Sequence, residues 1–198
     1  MAGKVRSRNA RGDGGKLRAE IVAAAVSLMD SSPDLETPSL RGIARRVGIT
    51  APAIYAHFAS LDEIDDEVVN VGYGELAKVF RSATRTGGTS SERLYLGCNS
   101  YIEYAKDHPA RYVLMSHRSP ATGVRPQAFP LLVRALRAAI ADGSSRSTDP
   151  LLDAATLWSG VHGLAFIASR SQQTPWGEDF EVDDILRNLV RGVAKLGD

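Results

Sequence analysis

Residues 39–58 carry side chains of the types that contact nucleic acids. Arginines at positions 41, 45 and 46 can attract phosphate oxygens. Thr50 can hydrogen-bond a base edge or a phosphate, small alanines can touch a thymine methyl group, and the rings of Tyr55 and His57 can reach phosphate oxygens. The candidate DNA-contacting residues are Ser39, Arg41, Arg46, Thr50, Ala51, Pro52, Ala53, Tyr55 and His57. Their chemistry is recognition rather than catalysis.

Two short helices joined by a tight turn would have to position these side chains. Ser39 and Thr50 can cap the two helices, and Gly48 can end the first in a left-handed conformation. Ala44 supplies the small contact between them. The apolar underside would consist of Ile43, Val47, Ile49, Ile54 and Phe58. This layout predicts a helix-turn-helix unit, whose second helix enters the major groove of DNA.

The rest of the chain also shows helical patterns. Apolar residues recur at helical spacing from Leu17 onward, and capping boxes at residues 60–63 and 89–92 start further helices. Later helices are predicted to about residue 107 and over residues 109–117, 129–141, 150–167 and 182–196. No segment shows the strict alternation of a strand, and no internal repeat is visible. The expected fold is all-α, with about nine helices.

Three parts are expected along the chain. Residues 1–14 are basic and nearly free of apolar side chains, so we expect a disordered arm there. Residues 15–62 would form a three-helix DNA-binding domain, and residues 63–198 a larger helical domain. Over residues 1–60, nine Lys or Arg stand against five Asp or Glu, whereas the remainder holds fifteen against eighteen. The positive charge therefore coincides with the helix-turn-helix, although the net charge is only +1.

The run PSLRGIARRVGITAPAIYAHFASLDEI, residues 38–64, resembles the DNA-binding domain of the tetracycline-repressor (TetR) family of bacterial regulators. The shared features are a capping Ser39, the pair Ile43-Ala44, the turn residue Gly48, Tyr55 and the pair His57-Phe58. Family members often carry a lysine just after the recognition helix, and this lysine binds a phosphate. This chain has Leu61 at the corresponding position. We therefore expect affinity to rest more on Arg41, Arg46 and the basic arm from Lys4 to Arg11. That arm either tracks a minor groove or is an idle tail.

The resemblance implies that the chain from about residue 65 forms a ligand-binding and dimerisation domain. The segment LWSGVHGLAF, residues 157–166, is similar to the C-terminal domain type named for a Trp-His-Gly signature, here spread over Trp158, His162 and Gly163. Independently, its small residues allow another helix to approach, and with the last helix they could build a four-helix interface across a two-fold axis. The candidate interface residues are Ser159, Gly160, Gly163, Ile185, Leu189 and Val193. A homodimer would place two recognition helices about 34 Å apart, on a pseudo-palindromic operator.

An unknown small-molecule effector is expected to bind among the middle helices. The candidate residues are Tyr101, Tyr104, Tyr112, Met115, Phe129, Trp158, His162 and Phe166. Such side chains at helical spacing also form cores, and His162 suits an interface as well as a ligand, so both interpretations stay open. The expected mechanism is a population shift, in which the effector favours a spacing of the recognition helices that releases DNA and the helix from residue 61 to about residue 84 acts as the lever. Repression is the favoured outcome, and activation stays open.

Other functions find less support in the sequence. Gly72 and Gly74 lie within a predicted helix with no strand before it, which excludes a dinucleotide-binding fingerprint. No nucleophile elbow, phosphate loop or zinc-protease signature is present, and the four histidines lack metal-ligand spacing, so no catalytic residue, metal or cofactor is expected. A non-specific DNA-coating protein would need a more basic surface. The single Cys98 allows no internal disulfide and is expected to be buried rather than redox-sensing, which fits the cytoplasm, and the apolar runs are too short to predict a membrane helix.

Overall fold

Nine helices form the parts of the chain that the computed structural model describes, which are residues 14–32, 35–118, 128–170, 177 and 179–196. In chain order they are α1 (Gly14–Asp30), α2 (Leu40–Val47), α3 (Ala51–Ile54), α4 (Leu61–Ala83), α5 (Ser90–Asp107), α6 (Pro109–His117), α7 (Ala128–Ala141), α8 (Pro150–Arg170) and α9 (Val182–Val193). Within these ranges no strand forms, and one isolated bridge joins Ser145 to Leu196. The all-α fold is confirmed. The basic arm between Lys4 and Arg11 lies outside the described residues.

Local capping explains where α2 ends and where α2 and α5 begin. The Ser39 Oγ accepts a hydrogen bond from the Gly42 N–H at 3.2 Å. Gly48 follows α2 with a φ of 79°, a left-handed conformation that favours glycine. Before α5, the Thr89 Oγ accepts from the Glu92 N–H at 3.1 Å, and the Glu92 carboxylate accepts from the Thr89 N–H at 2.9 Å. The caps predicted at residues 39 and 48 and the box predicted at residues 89–92 are therefore confirmed.

The second helix of the helix-turn-helix is short. It spans only Ala51–Ile54, and the chain then continues as a turn. The predicted cap by the Thr50 side chain is wrong, because that side chain makes no capping hydrogen bond. The reason is local: Pro52 has no N–H to donate, and the Ala53 N–H donates to the Thr50 carbonyl instead, at 2.9 Å. The Thr50 hydroxyl is thus not used in the helix cap.

The box predicted at residues 60–63 forms only in part. The Ser60 Oγ accepts from the Glu63 N–H at 3.3 Å, but the Glu63 carboxylate accepts from the Ala59 N–H at 2.7 Å rather than from the Ser60 N–H. Its other oxygen accepts from Arg18 of α1 at 3.0 Å. The carboxylate is shared between two helices, and this moves it away from the position that a reciprocal box requires.

α4 connects the N-terminal helices to the rest of the molecule. It packs on α1, α5, α6 and α7, and its 23 residues extend over about 35 Å. Of the predicted apolar underside, Ile43, Ile54 and Phe58 are buried, whereas Val47 and Ile49 are half-buried. These side chains belong to the same hydrophobic core as the buried face of α4. The position of the helix-turn-helix is therefore tied to α4 by apolar packing.

α8 leaves much of its apolar surface uncovered within the chain. It packs on α5, α6, α7 and α9, yet only 28% of its 18-residue apolar window is buried inside the chain. Leu151 and Leu152, at its start, are 56% and 62% exposed. By length and composition alone α8 could cross a membrane, which the short apolar runs of the sequence did not predict. Core helices of soluble proteins share that length and composition, so the observation that matters is the uncovered apolar face.

Candidate nucleic-acid interface

The residues predicted to contact DNA lie together at one end of the molecule. Tyr55 is 59% exposed, and Ser39, Thr50 and Pro52 are exposed as well. The half-buried members of the predicted set are Ala51, Ala53 and His57. The arrangement presents a hydroxyl, a proline ring and a phenol to solvent from α3 and its flanking residues. Hydroxyl, apolar and phenol groups are of the types that contact base edges and phosphates in a DNA groove.

The two arginines predicted to hold phosphates are placed differently from one another. Arg46 Nη2 donates to the Ser27 Oγ of α1 at 2.7 Å, so this guanidinium links α2 to α1. Arg41 is exposed, and its side chain makes no hydrogen bond or ion pair within the part of the chain that the structure describes. The predicted phosphate contact therefore finds the Arg41 guanidinium open to solvent, whereas the Arg46 guanidinium is bound to Ser27.

Arg18, on α1, holds the turn after α3 against α4. Its Nη1 donates to the His57 carbonyl at 2.5 Å and to the Glu63 carboxylate at 3.0 Å, and its Nη2 donates to the Glu67 carboxylate at 2.7 Å. The guanidinium also lies over the Phe58 ring, 4.0 Å from the ring centroid. We name these five residues the Arg18 clamp. It joins α1, the recognition turn and α4 at one point.

Arg18 and Glu63 of the clamp each stabilise the charged form of the other. The hydrogen bond with Glu67, followed by that with Glu63, raises the pKa of Arg18 above its usual value despite the opposing effect of burial. The Ala59 N–H and then Arg18 lower the pKa of Glu63. Arg18 and Glu63 are therefore both ionised at neutral pH. Sequence reasoning missed this clamp, and the only signal was a pair of glutamates four residues apart on α4.

Four residues predicted to bind an effector meet between α5, α6 and α8. The hydroxyl oxygens of Tyr101 and Tyr112 each lie 2.9 Å from the Nδ1 of His162, and the Tyr112 hydroxyl donates to the His162 carbonyl at 3.1 Å. The Trp158 ring packs edge-on against Tyr101, with centroids 5.2 Å apart. Burial raises the pKa of both tyrosines and lowers the pKa of His162, so all three groups are neutral at pH 7.

The other predicted effector residues surround this group rather than share one cavity with it. Phe129 packs edge-on against Trp158 at 5.9 Å. The Tyr104 hydroxyl lies 4.0 Å from the Met115 sulfur, beside Gly72 of α4, and Phe166 lies under Arg170. A small pocket of about 10 Å³ remains beside Tyr101 and Trp158, enough for about one water molecule. In this conformation the aromatic side chains are packed as a core.

Two arginines connect the larger helical part to α4 and α1. Arg111 lies in α6, and Arg118 is the residue directly after it. The Arg111 guanidinium is buried and donates to the carboxylates of Asp30 at 2.7 Å and Glu75 at 2.5 Å. Just after α6, Arg118 binds the first turns of α4 through Asp62 and through Asp66, the latter at 3.0 Å. Sequence reasoning found neither, since both depend on helices far apart in the chain. They tie the effector candidates on α6 to the start of α4.

The residues predicted to form a dimer interface are divided between two environments. A Cβ at Gly160 would lie 2.6 Å from the Leu189 side chain of the same chain, so this glycine lets α9 approach α8. Gly163 and Ser159 are exposed, and a Cβ at Gly163 would meet open space. Ile185, Leu189 and Val193 are half-buried along α9. Gly160 therefore serves packing within the chain, and the open part of the stripe is formed by the other two α8 residues.

Cys98 is buried in α5, and burial raises the pKa of its thiol to about 12. A thiol with so little thiolate at neutral pH is a poor nucleophile and a poor redox sensor. The expectation that this residue is a buried core cysteine is confirmed.

Comparison with known proteins agrees with this architecture. The family model described as "Tetracyclin repressor-like, C-terminal domain" matches residues 94–193. An uncharacterised helix-turn-helix transcriptional regulator from Haemophilus influenzae is 25% identical over 114 residues, which are 58% of this chain and 54% of that protein. The match thus spans about half the length of that relative.

Solved structures share the fold over nearly the whole chain. The TetR-family transcriptional regulator PfmR from Thermus thermophilus aligns with a TM-score of 0.63 and 18% identity, over 90% of this chain and 98% of that one. RolR in complex with the ligand resorcinol aligns with a TM-score of 0.67 and 12% identity, over 93% of this chain and 89% of that one. Because the family model covers half of the sequence and a helix-turn-helix precedes the matched region, the chain belongs to the tetracycline-repressor family of transcriptional regulators.

Proposed function

We propose that this regulator is a cytoplasmic homodimer that represses transcription by binding a pseudo-palindromic operator, and that a small-molecule effector releases it. The observation that carries the proposal is the solvent-facing set of Thr50, Pro52 and Tyr55 on a helix-turn-helix locked to α4 by the Arg18 clamp. Because the clamp holds these side chains in place before DNA binds, less conformational entropy is lost on binding. Activation by the same dimer is the second candidate.

The proposed dimer uses the uncovered face of α8 together with α9. Leu152, Ser159 and Gly163 recur at helical spacing along one side of α8, and all three are exposed. The half-buried apolar residues of α9 lie next to this stripe, since α8 and α9 pack together. Pairing two such surfaces about a two-fold axis would bury apolar area that the single chain leaves in water. It would also place two recognition surfaces on one side of the assembly.

The proposed effector region is the aromatic group around His162. A neutral imidazole and two phenols offer hydrogen-bond donors and acceptors inside apolar walls, which is the usual composition of a small-molecule site. RolR, which has the same fold, is in complex with resorcinol, and this supports a small ligand for the present chain too. Binding here requires the packed rings to move apart, because the pocket between them is only about 10 Å³. That movement would act on α6 and, through Arg118, on α4.

The DNA-binding surface is tested by replacing Tyr55, the most exposed aromatic side chain of the helix-turn-helix. Fluorescence anisotropy with a duplex enriched by selection is expected to show about a tenfold loss of affinity for Tyr55→Ala, corresponding to about 1.4 kcal/mol. Helical content should not change, because the ring contributes little to the core. The matched control is Val79→Ala, an exposed apolar residue near the far end of α4. Equal affinities for the three proteins would show that the recognition surface lies elsewhere.

A further inference from the structure

A basic groove lies at the end of α4 that is remote from the helix-turn-helix. Its volume is about 730 Å³, and it is open to solvent between the end of α4, the start of α5 and α7. Its charged lining residues are Lys78, Arg81, Arg85, Arg93, Arg134 and Arg137. Among the described residues, no carboxylate lines it. Six cations in one concavity are notable in a chain whose net charge is +1.

The six cations of the basic groove lack the partners that other arginines have. Arg18, Arg111 and Arg118 each bind at least two carboxylates. Within the described part of the chain, by contrast, none of the six forms an ion pair with a carboxylate. Arg93 is held by the Gly87 and Gly88 carbonyls, at 2.9 and 3.2 Å. It also interacts electrostatically with the carboxylates of Glu92 and Asp142, which offset part of its charge. The concavity therefore concentrates positive potential that an anion would satisfy.

The operator is a poor candidate for that anion. The groove begins around Lys78 and Arg81, whereas the helix-turn-helix is joined to α4 at Leu61. Twenty helical residues separate Leu61 from Arg81, which corresponds to about 30 Å along α4. DNA held by Tyr55 would lie at the opposite end of this helix. We therefore expect the anion that binds the groove to be a molecule other than the operator.

Phe80 separates the basic groove from the cavity beside the aromatic group. Its side chain lines the groove and also lines the small pocket of about 10 Å³, together with Cys98, Tyr101 and Trp158. A Cβ at Gly97 would lie 2.6 Å from the Phe80 ring, so the ring rests directly on the backbone of α5. Rotation of this ring would join the two spaces. One ligand could then contact both the arginines and the aromatic side chains.

We propose that the basic groove binds the anionic head of an amphipathic organic phosphate, and that its apolar tail passes Phe80 to reach Tyr101 and Trp158. This inference deepens the proposed function, on which its effector role rests. Guanidinium groups match phosphate oxygens with two parallel hydrogen bonds, and several of them around one head select for multiple negative charge. The apolar tail gains by leaving water for a site lined by rings. Entry of the tail displaces Phe80, a residue of α4, and so acts on the lever helix directly.

The head-group site is tested by calorimetric titration of the full-length protein with decyl phosphate below its micelle concentration. Decyl glucoside carries the same tail with a neutral head, and inorganic phosphate carries the head alone. Decyl phosphate is expected to bind at least about tenfold more tightly than either of the other two. The double variant Arg134→Gln/Arg137→Gln should lose about tenfold of that affinity, whereas Arg146→Gln/Arg191→Gln, with the same charge change on exposed residues outside the groove, should lose none. Equal binding of decyl phosphate and decyl glucoside, or equal losses in the two variants, would overturn the site.

The path of the tail is tested by fluorescence. In a Trp176→Phe background, Trp158 is the single tryptophan of the chain. Decyl phosphate should change its emission, and inorganic phosphate should not. Binding of decyl phosphate with unchanged Trp158 emission would overturn the passage past Phe80.

A membrane surface and a dissolved ligand share the proposed chemistry, and sedimentation with phosphatidylglycerol vesicles distinguishes them. We expect the protein to stay in solution. Vesicle binding that is lost in the Arg134→Gln/Arg137→Gln variant would assign the groove to lipid and overturn a dissolved effector. Finally, decyl phosphate should release the protein from its selected duplex. If it binds the groove without release, the effector role is overturned while the DNA-binding function stands, because the calorimetry contains no DNA.

Discussion

Arg18 fixes the recognition turn through groups that belong to two other elements. Its bond to the His57 carbonyl holds the backbone just after α3, and its bonds to Glu63 and Glu67 hold the same guanidinium on α4. The first of these contacts spans 39 positions in the sequence and the last spans 49. Capping residues such as Ser39 and Gly48 act within a few positions, which is why they could be predicted. The clamp depends on the packing of α1 against α4, and no local pattern encodes it.

Replacing Arg18 tests whether the clamp positions the recognition turn. Arg18→Gln is expected to lower the free energy of unfolding by only about 1–2 kcal/mol, because the group is partly exposed and its ion pairs are screened. The operator affinity should fall about fivefold or more, since the turn loses its anchor. The matched control is Arg187→Gln, which also breaks a carboxylate pair and a stacked aromatic contact, with Asp183 and Tyr95, but far from the turn. Equal affinity losses in the two variants would contradict a positioning role.

Asp65, a buried residue of α4, gives a second prediction for a single residue, on how stability depends on pH. Burial raises the pKa of this carboxyl above its usual 3.8, and Arg118 opposes the shift only in part. The folded chain therefore binds more protons at this site than the unfolded chain, so the stability that Asp65 contributes falls as pH rises from about 3.8 through the folded pKa. Asp65→Asn removes the titration and should gain stability relative to the wild type over that range. Urea unfolding at several pH values measures the difference, and a difference that stays level or declines with pH would contradict the assignment.

At the scale of elements, α4 connects the helix-turn-helix to the larger helical part of the chain through packing and ion pairs. Arg118 binds its first turns, Arg111 binds Glu75 near its middle, and Phe80 near its end faces the basic groove. From the sequence, the only conclusion about Gly72 is that it does not belong to a dinucleotide-binding fingerprint. Its role is instead close packing, since a Cβ there would overlap the Met115 sulfur of α6 and lie 3.2 Å from the Tyr104 hydroxyl. α4 is thus pressed against two helices that carry effector candidates.

Two glycine substitutions in α4 test this close packing. Gly72→Ala forces Met115 to move and is expected to lower the free energy of unfolding by about 1–2 kcal/mol. Gly74→Ala, two residues later, meets open space and should raise it by about 0.5–1 kcal/mol, because alanine favours a helix. Denaturant unfolding of both variants measures the contrast. Stabilisation by both substitutions would show that α6 does not press on Gly72.

At the scale of the whole molecule, the sequence predicted the order and number of helices well because caps and helical periodicity are local. It predicted a cap by the Thr50 side chain that does not form, since Pro52 has no N–H and the Ala53 N–H donates to the Thr50 carbonyl. It brought together Tyr101, Tyr112 and His162 as candidates, and these three do hydrogen-bond to one another. Whether such rings form a core or a pocket depends on how tightly helices pack, which composition does not determine. The basic groove likewise needs cations from three elements to converge.

The most direct test of the account is selection of random duplex DNA by the purified full-length protein, with sequencing of the enriched pool. Two helix-turn-helix units related by a two-fold axis should enrich a site with two inverted half-sites whose centres lie about one DNA turn, roughly 34 Å, or somewhat more apart. Raising the salt concentration should weaken binding to that site with a log–log slope of about −0.9 for each phosphate contact. Such a site would establish a dimeric, sequence-specific regulator. Enrichment of a single half-site, or of no site at all, would contradict the central claim.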